Sequence, residues 1–188
     1  SYLEDGDRYI YFLTSRSAAV ISSLKSIDDI ETLLKVPYTG SPEDMLKNRY
    51  LLSEDDIDIY NDADTLSDYV GYHADKIISN SKRMRENYDL YISRCDIDLK
   101  KNIAFFDFVS SGTAQLNLQK IMGRKLYGYY FINVYDDNPE KRKLDIKAMG
   151  GNGLAFEIKN NLYDKYIFLE NILTSEKPTL KEFDEYGN

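Results

Sequence analysis

Cysteine and histidine are nearly missing from this chain, and tryptophan is absent. The one cysteine, Cys95, excludes an intrachain disulfide and suits a reducing compartment. The one histidine, His73, is too little for a histidine-rich metal site, and it deprives serine and cysteine side chains of a base for triad chemistry. Its neighbours Leu66, Tyr69, Val70 and Ile77 recur at helical spacing, which predicts a packing role. No apolar run approaches the roughly 20 residues of a membrane span. The opening Ser1-Tyr2-Leu3-Glu4-Asp5-Gly6-Asp7 is acidic and lacks the pattern of a secretory signal, so the expected location is cytoplasmic. The missing initiator Met predicts a piece of a longer polypeptide.

Positive charge is also in deficit. There are 24 Lys and Arg against 32 Asp and Glu, a net charge of −8 with pI near 4.8. That balance opposes binding to nucleic acid or to an anionic membrane surface. The basic clusters Lys82-Arg83-Met84-Arg85 and Lys141-Arg142-Lys143 are flanked by acids and read as solvated faces. What the chain does have is 43% hydrophobic residues over 188 positions, enough for a real core in one domain, 1–188. Its 17 tyrosines accompany many Ile, Asn, Lys and Asp residues, a composition bias rather than a set of sugar-stacking platforms.

Tyr9-Ile10-Tyr11-Phe12-Leu13 is aromatic and β-branched without helical period, which predicts a buried strand. Thr14-Ser15-Arg16-Ser17 breaks it, and Ala18 to Leu24 reads as a helix. Asp28 is placed to cap a helix from Asp29 to Lys35. Ser41-Pro42-Glu43-Asp44 starts another, with Ser at the N-cap, Pro at the first helical position and acids in the first turn. Ser53 to Tyr60 reads as a short helix or turn. From Thr65 to Cys95 the steps Leu66, Tyr69, Val70, His73, Ile77, Met84, Tyr88, Tyr91, Ile92 and Cys95 mark a long amphipathic helix, with Gly71 and Ser79-Asn80-Ser81 as points of bending.

Ile103 to Phe106 is the second predicted strand, Thr113 to Met122 a helix, and Leu126 to Tyr135 the third strand. Asp136 to Lys143 reads as a charged loop, Gly150-Gly151-Asn152-Gly153 as a flexible turn, Leu162 to Leu173 as a last helix, and 176–188 as an irregular tail. The whole predicts an α/β fold, a mostly parallel Rossmann-like sheet covered by helices, with a helical insertion over 26–95 between the first two strands.

In such sheets ligands bind beyond the carboxyl ends of the strands. The first candidate is therefore Asp107-Phe108-Val109-Ser110-Ser111-Gly112-Thr113-Ala114-Gln115. Small residues let backbone N–H groups approach a ligand, a helix starts with its positive end there, and Ser110, Ser111 and Thr113 add hydroxyl donors. Asp107 could hold a sugar hydroxyl, a metal ion or a proton. Ser-Gly-Thr is equally a way to turn and cap a helix, and that alternative stays open. The loop has neither the Gly-Lys-Ser/Thr of a P-loop nor a dinucleotide fingerprint. At the other strand end, Ser15 and Arg16 form the second candidate, the guanidinium being suited to a phosphate or to an internal acid. Asp136-Asp137 could join the same edge around a divalent cation, and Glu170 is a candidate buried acid. No obligatory cofactor is expected, with Mg²⁺ the one to consider.

At Tyr11 to Ala19 and again at Phe105 to Gln115, the chain resembles a bacterial family of long proteins linked to surface-polysaccharide and glycan biosynthesis. Those proteins carry an N-terminal haloacid-dehalogenase-like domain. A second region follows, with a strand ending in Ser-Arg-x-Ala and an Asp-x-x-x-Ser-Gly-Thr-x-Gln loop. Here these are Ser15, Arg16 and Ala18, and Asp107, Ser111, Gly112, Thr113 and Gln115. The similarity extends to Gly40–Tyr50, Arg85–Tyr88 and Leu169–Pro178. It implies cytoplasmic glycan assembly, a preceding domain of the same polypeptide as partner, and a phosphorylated sugar or nucleotide-sugar as ligand. The Asp-x-Asp-x-Thr of dehalogenase-like phosphotransfer is absent, so that chemistry does not carry over. Ile103 to Thr113 also resembles the diphosphate loop of type I phosphoribosyltransferases, although Phe108 stands where their second acid would be.

Overall fold

The structure, a computed structural model, describes residues 10–153, Phe168 and residues 179–188. The predicted helix from Leu162 to Leu173 and Glu170 lie outside this description, apart from Phe168. Five helices come first: α1 (Arg16–Ser23), α2 (Ile27–Leu34), α3 (Pro42–Asn48), α4 (Leu66–Tyr72) and α5 (Ala74–Arg94). Strand β1 (Ala104–Ser110), helix α6 (Thr113–Met122), β2 (Tyr127–Val134) and β3 (Asp145–Gly153) follow. The strands form one parallel sheet in the order β1-β2-β3, flanked by helices, which is the α/β Rossmann-like class.

Local signals account for most boundaries. Ser26, Ser41 and Thr65 each cap a helix through reciprocal bonds with an Asp three residues on, so two otherwise unpaired amides are satisfied per helix. The long periodic segment breaks at His73, between α4 and α5, rather than at Gly71 or Ser79–Ser81. His73 is fully buried there. Its Nδ1–H donates to the Tyr69 carbonyl at 2.9 Å, and Nε2 accepts from the Asp58 amide at 3.1 Å. The ring thus brackets the helix junction to the loop before α4.

Two expectations are corrected. Residues 10–15 have no regular secondary structure, so this run is not a strand, and among the described residues α1–α5 precede the sheet. The segment packs on α5 instead: the Phe12 ring lies 5.1 Å from that of Tyr91, the Leu13 amide donates to the Tyr91 hydroxyl at 2.6 Å, and the Tyr88 hydroxyl bonds to Thr14 at 2.5 Å. These partners are distant in sequence and invisible to local periodicity. The second correction is the Gly150–Gly153 run, which ends β3 and pairs with Ile132, Asn133 and Val134. A ladder needs only backbone amides and carbonyls, so a glycine-rich run can occupy it.

Among the described residues two apolar clusters form the core. One gathers Ile30, Met45, Leu46, Tyr50, Tyr69 and Val70 within the helical layer. The other joins Leu118, Ile121, Leu126 and the partly buried Phe105 on the sheet side. Helices α1 and α5 belong to both, through Ile21, Ile77 and Met84 in the first and Ala18, Ala19, Tyr88 and Ile92 in the second. The tail joins the second cluster as well. Phe183 is buried against Tyr88 and Tyr91, and the Asn87 amide donates to its carbonyl at 2.8 Å. On the opposite face of the sheet Phe108 stacks on Phe131 at 4.8 Å, with Phe106 exposed beside them.

Helix α1 ends without a glycine, and α5 satisfies its last carbonyls. The buried Ser81 hydroxyl lies 2.6 Å from the Ile21 carbonyl and 2.7 Å from that of Leu24. Arg85 donates to the carbonyls of Ser22 and Leu24, each at 2.9 Å. Ser81→Ala leaves buried acceptors short of a donor and should cost about 1–3 kcal/mol in urea unfolding. Unchanged stability would show that Arg85 alone closes the helix end.

Candidate anion-binding site

Strand β1 runs through Asp107 to Ser110, so Asp107 lies within the strand, opposite Tyr130 of β2, rather than at its tip. The chain then turns at Ser111-Gly112 into α6. Gly112 is the N-cap of α6 at φ 83°, a left-handed conformation that favours glycine, and no side chain caps the helix. The Ser110 hydroxyl accepts from the Gly112 amide at 3.1 Å, and Ser111 and Thr113 hydroxyls lie 3.3 Å apart. Asn117 holds the turn from behind: its amide donates to the Thr113 carbonyl at 2.7 Å and its oxygen accepts from Ser23 of α1, also at 2.7 Å.

Lys141 was read from the sequence as part of a solvated loop. Its side chain is only 14% exposed, and its ammonium donates to the Ser111 hydroxyl at 3.0 Å. It also pairs closely with Asp136. A cation near the amino end of a helix adds to the positive end of the helix dipole. Asp136 supplies one negative charge. Burial acts to raise its pKa, but bonds from Lys141, the Asn138 amide and Ser111 outweigh it and hold the carboxyl below its ordinary value.

Arg16 begins α1 and is exposed, and its charge acts on Asp107. The sequence reading puts both turns at strand ends of one sheet, but residues 10–15 are not a strand, so Arg16 does not stand at a strand end. Ser15 is occupied otherwise, accepting from the Ala18 amide at 3.1 Å as the N-cap of α1. Burial raises the Asp107 pKa, against bonds from Ser110 and the Phe108 amide and the charge of Arg16. Ser110 also lies within hydrogen-bonding reach of the buried Tyr130.

Gln115 is fully buried beneath the turn. Its amide nitrogen donates to the carbonyls of Leu126 (2.9 Å) and Asp145 (3.3 Å), and its oxygen accepts from Tyr130 at 2.7 Å. One side chain therefore ties α6 to the starts of β2 and β3. Gly128 makes room for it, since a Cβ there would meet Gln115 Oε1 at 2.2 Å. At Gly112 an added Cβ would meet Leu144 at 2.6 Å, so an apolar side chain from the strand-connecting loop covers that face of the turn.

Asp137 is exposed and 3.7 Å from Arg142, and Asp136 is committed to Lys141. Among the described residues no group of three or more His, Cys, Asp or Glu side chains could hold a metal ion. No helix among them is long and apolar enough to cross a membrane. The chain matches no protein-family model, no curated protein and no solved structure.

The two acids have opposite pH dependences. The pKa of Asp107 is raised in the folded state, so its contribution to stability is present below about pH 3.9 and lost as pH rises through the folded value. The pKa of Asp136 is lowered, so its contribution is present above about pH 3.9 and lost as pH falls through the folded value. Asp107→Asn should therefore raise the urea midpoint near neutral pH, and Asp136→Asn should lower it, with both differences shrinking toward acid. Like-signed effects of the two substitutions near neutrality would contradict this assignment.

Proposed function

We propose that the corner formed by Ser111, Thr113 and Lys141 at the amino end of α6 binds the phosphate of a small molecule, a phosphorylated sugar or nucleotide-sugar. The observation that carries this reading is the nearly buried Lys141 ammonium on the Ser111 hydroxyl, where the helix dipole already favours an anion. A ligand phosphate would share Lys141 with Asp136 and take the uncapped amides of the first turn of α6. Arg16 and Asp107 stand to one side, where they could meet a second charged group and a sugar hydroxyl. Binding is proposed rather than triad chemistry, because the buried His73 has both ring nitrogens engaged and gives no base to a hydroxyl nucleophile. The family resemblance adds a context of cytoplasmic glycan assembly, with the preceding domain of the same polypeptide as partner.

A second reading has its own observation. Leu144 covers Gly112, and Asp136 already neutralises Lys141, an arrangement that also suits a turn serving the fold alone. Titration calorimetry with nucleotide-sugars, sugar phosphates and phosphoribosyl diphosphate, with and without magnesium, separates the two. Ser111→Ala and Lys141→Gln should each weaken binding about tenfold, the loss of one hydrogen bond to a charged group. No heat from any ligand would leave the structural turn. Binding of phosphoribosyl diphosphate alone would favour the phosphoribosyltransferase likeness.

A further inference from the structure

Away from the strand ends, a cleft of about 730 Å³ opens between α1, α3, α5 and residues 179–182 of the tail. Lys47, Lys76, Arg83 and Lys181 line it, against the acids Asp56 and Glu182. In a chain where acids outnumber bases 32 to 24, four cations gather at this cleft, balanced by Asp56 and Glu182 in its wall and by Glu54 and Asp58, the partners of Lys47 and Lys76. The volume falls within the roughly 300–1,000 Å³ usual for small-molecule sites.

Three of the cations already have partners: Lys47 with Glu54 at 2.8 Å, Lys76 with Asp58 at 2.6 Å, and Arg83 with Glu182 at 2.6 Å. These pairs are solvent-accessible, and exposed ion pairs contribute only about 0–1 kcal/mol each. An incoming anion can therefore exchange for the carboxylates at little cost. The Arg83 fork, in contrast, is held in place. Asn80 accepts from Arg83 Nη2 at 2.7 Å while its own amide donates to the Tyr50 and Leu51 carbonyls at 3.3 and 3.0 Å. A fixed guanidinium suits phosphate oxygens, and the lysines on α3, α5 and the tail supply further positive points around it. Cations on separate elements call for an anion charged at more than one point.

We propose that this cleft is a second site, independent of the strand-end corner, that binds a diphosphate-bearing small molecule. The test is a titration of the whole chain with inorganic pyrophosphate, and in a parallel arm with inorganic phosphate, followed by amide chemical shifts. Pyrophosphate should shift the amides of Lys47, Lys76, Arg83 and Lys181 saturably, and phosphate should bind the same amides about tenfold more weakly. Arg83→Gln and Lys76→Gln should each weaken pyrophosphate about tenfold, read at the amides of the cleft. Lys76→Gln keeps the test open if loss of the Arg83–Glu182 pair loosens the tail. The proposal is overturned by non-saturating shifts spread over the surface lysines, by shifts confined to Ser111–Thr113 and Lys141, or by wild-type affinity in both variants.

Discussion

The clasp that α5 places on the end of α1 is the constraint on which both halves of this molecule depend. Four carbonyl contacts, from Ser81 and Arg85, close a helix end that has no glycine to turn it. The same two helices then serve both apolar clusters, so neither half has a private core. Ala18 and Ala19 let α1 lie close to α6, and Ser23 bonds Asn117 across that seam. Through Asn117 the placement of α1 reaches the Thr113 carbonyl, at the turn of the proposed anion corner.

That corner illustrates how a turn can be both structural and chemically poised. Gln115, Tyr130 and Gly128 lock α6 to the sheet from below, which leaves the α6 amides at a fixed height above the strand ends. Lys141 then arrives from the loop between β2 and β3 and sets a cation against the positive end of a helix. Asp136 pairs with that ammonium and supplies the negative charge there.

Much of the frame was legible in the sequence because its signals are local. Ser41 and Asp44, the Phe-rich run into Ser110, and the helix from Thr113 to Met122 each carry their own capping or periodic signature. The failures came where long-range partners decide. Phe12 and Leu13 look like a strand until Tyr91 and Tyr88 claim them, and Phe183 sits in a polar tail whose burial only α5 explains. At the candidate site, the turn from β1 into α6 was legible from the small residues Ser110 to Thr113, whereas Arg16 follows an irregular segment and not the strand that the aromatic run suggests. Lys141 was not legible, because a lysine in a charged run gives no sign that its ammonium will fold back onto Ser111. Gln115 carried the reverse ambiguity: a polar side chain beside a loop reads as a ligand contact until its partners are seen to be Leu126, Asp145 and Tyr130.

A shared wall of two helices implies that the helical layer and the sheet open together. Native-state hydrogen exchange at low denaturant measures this directly, comparing the Leu46 amide of α3, on the helical side, with the Leu118 amide of α6, on the sheet side. The account predicts that both amides exchange through one opening with the same free energy and the same denaturant dependence. Exchange of Leu46 through a separate opening of lower free energy, with Leu118 still protected, would contradict it.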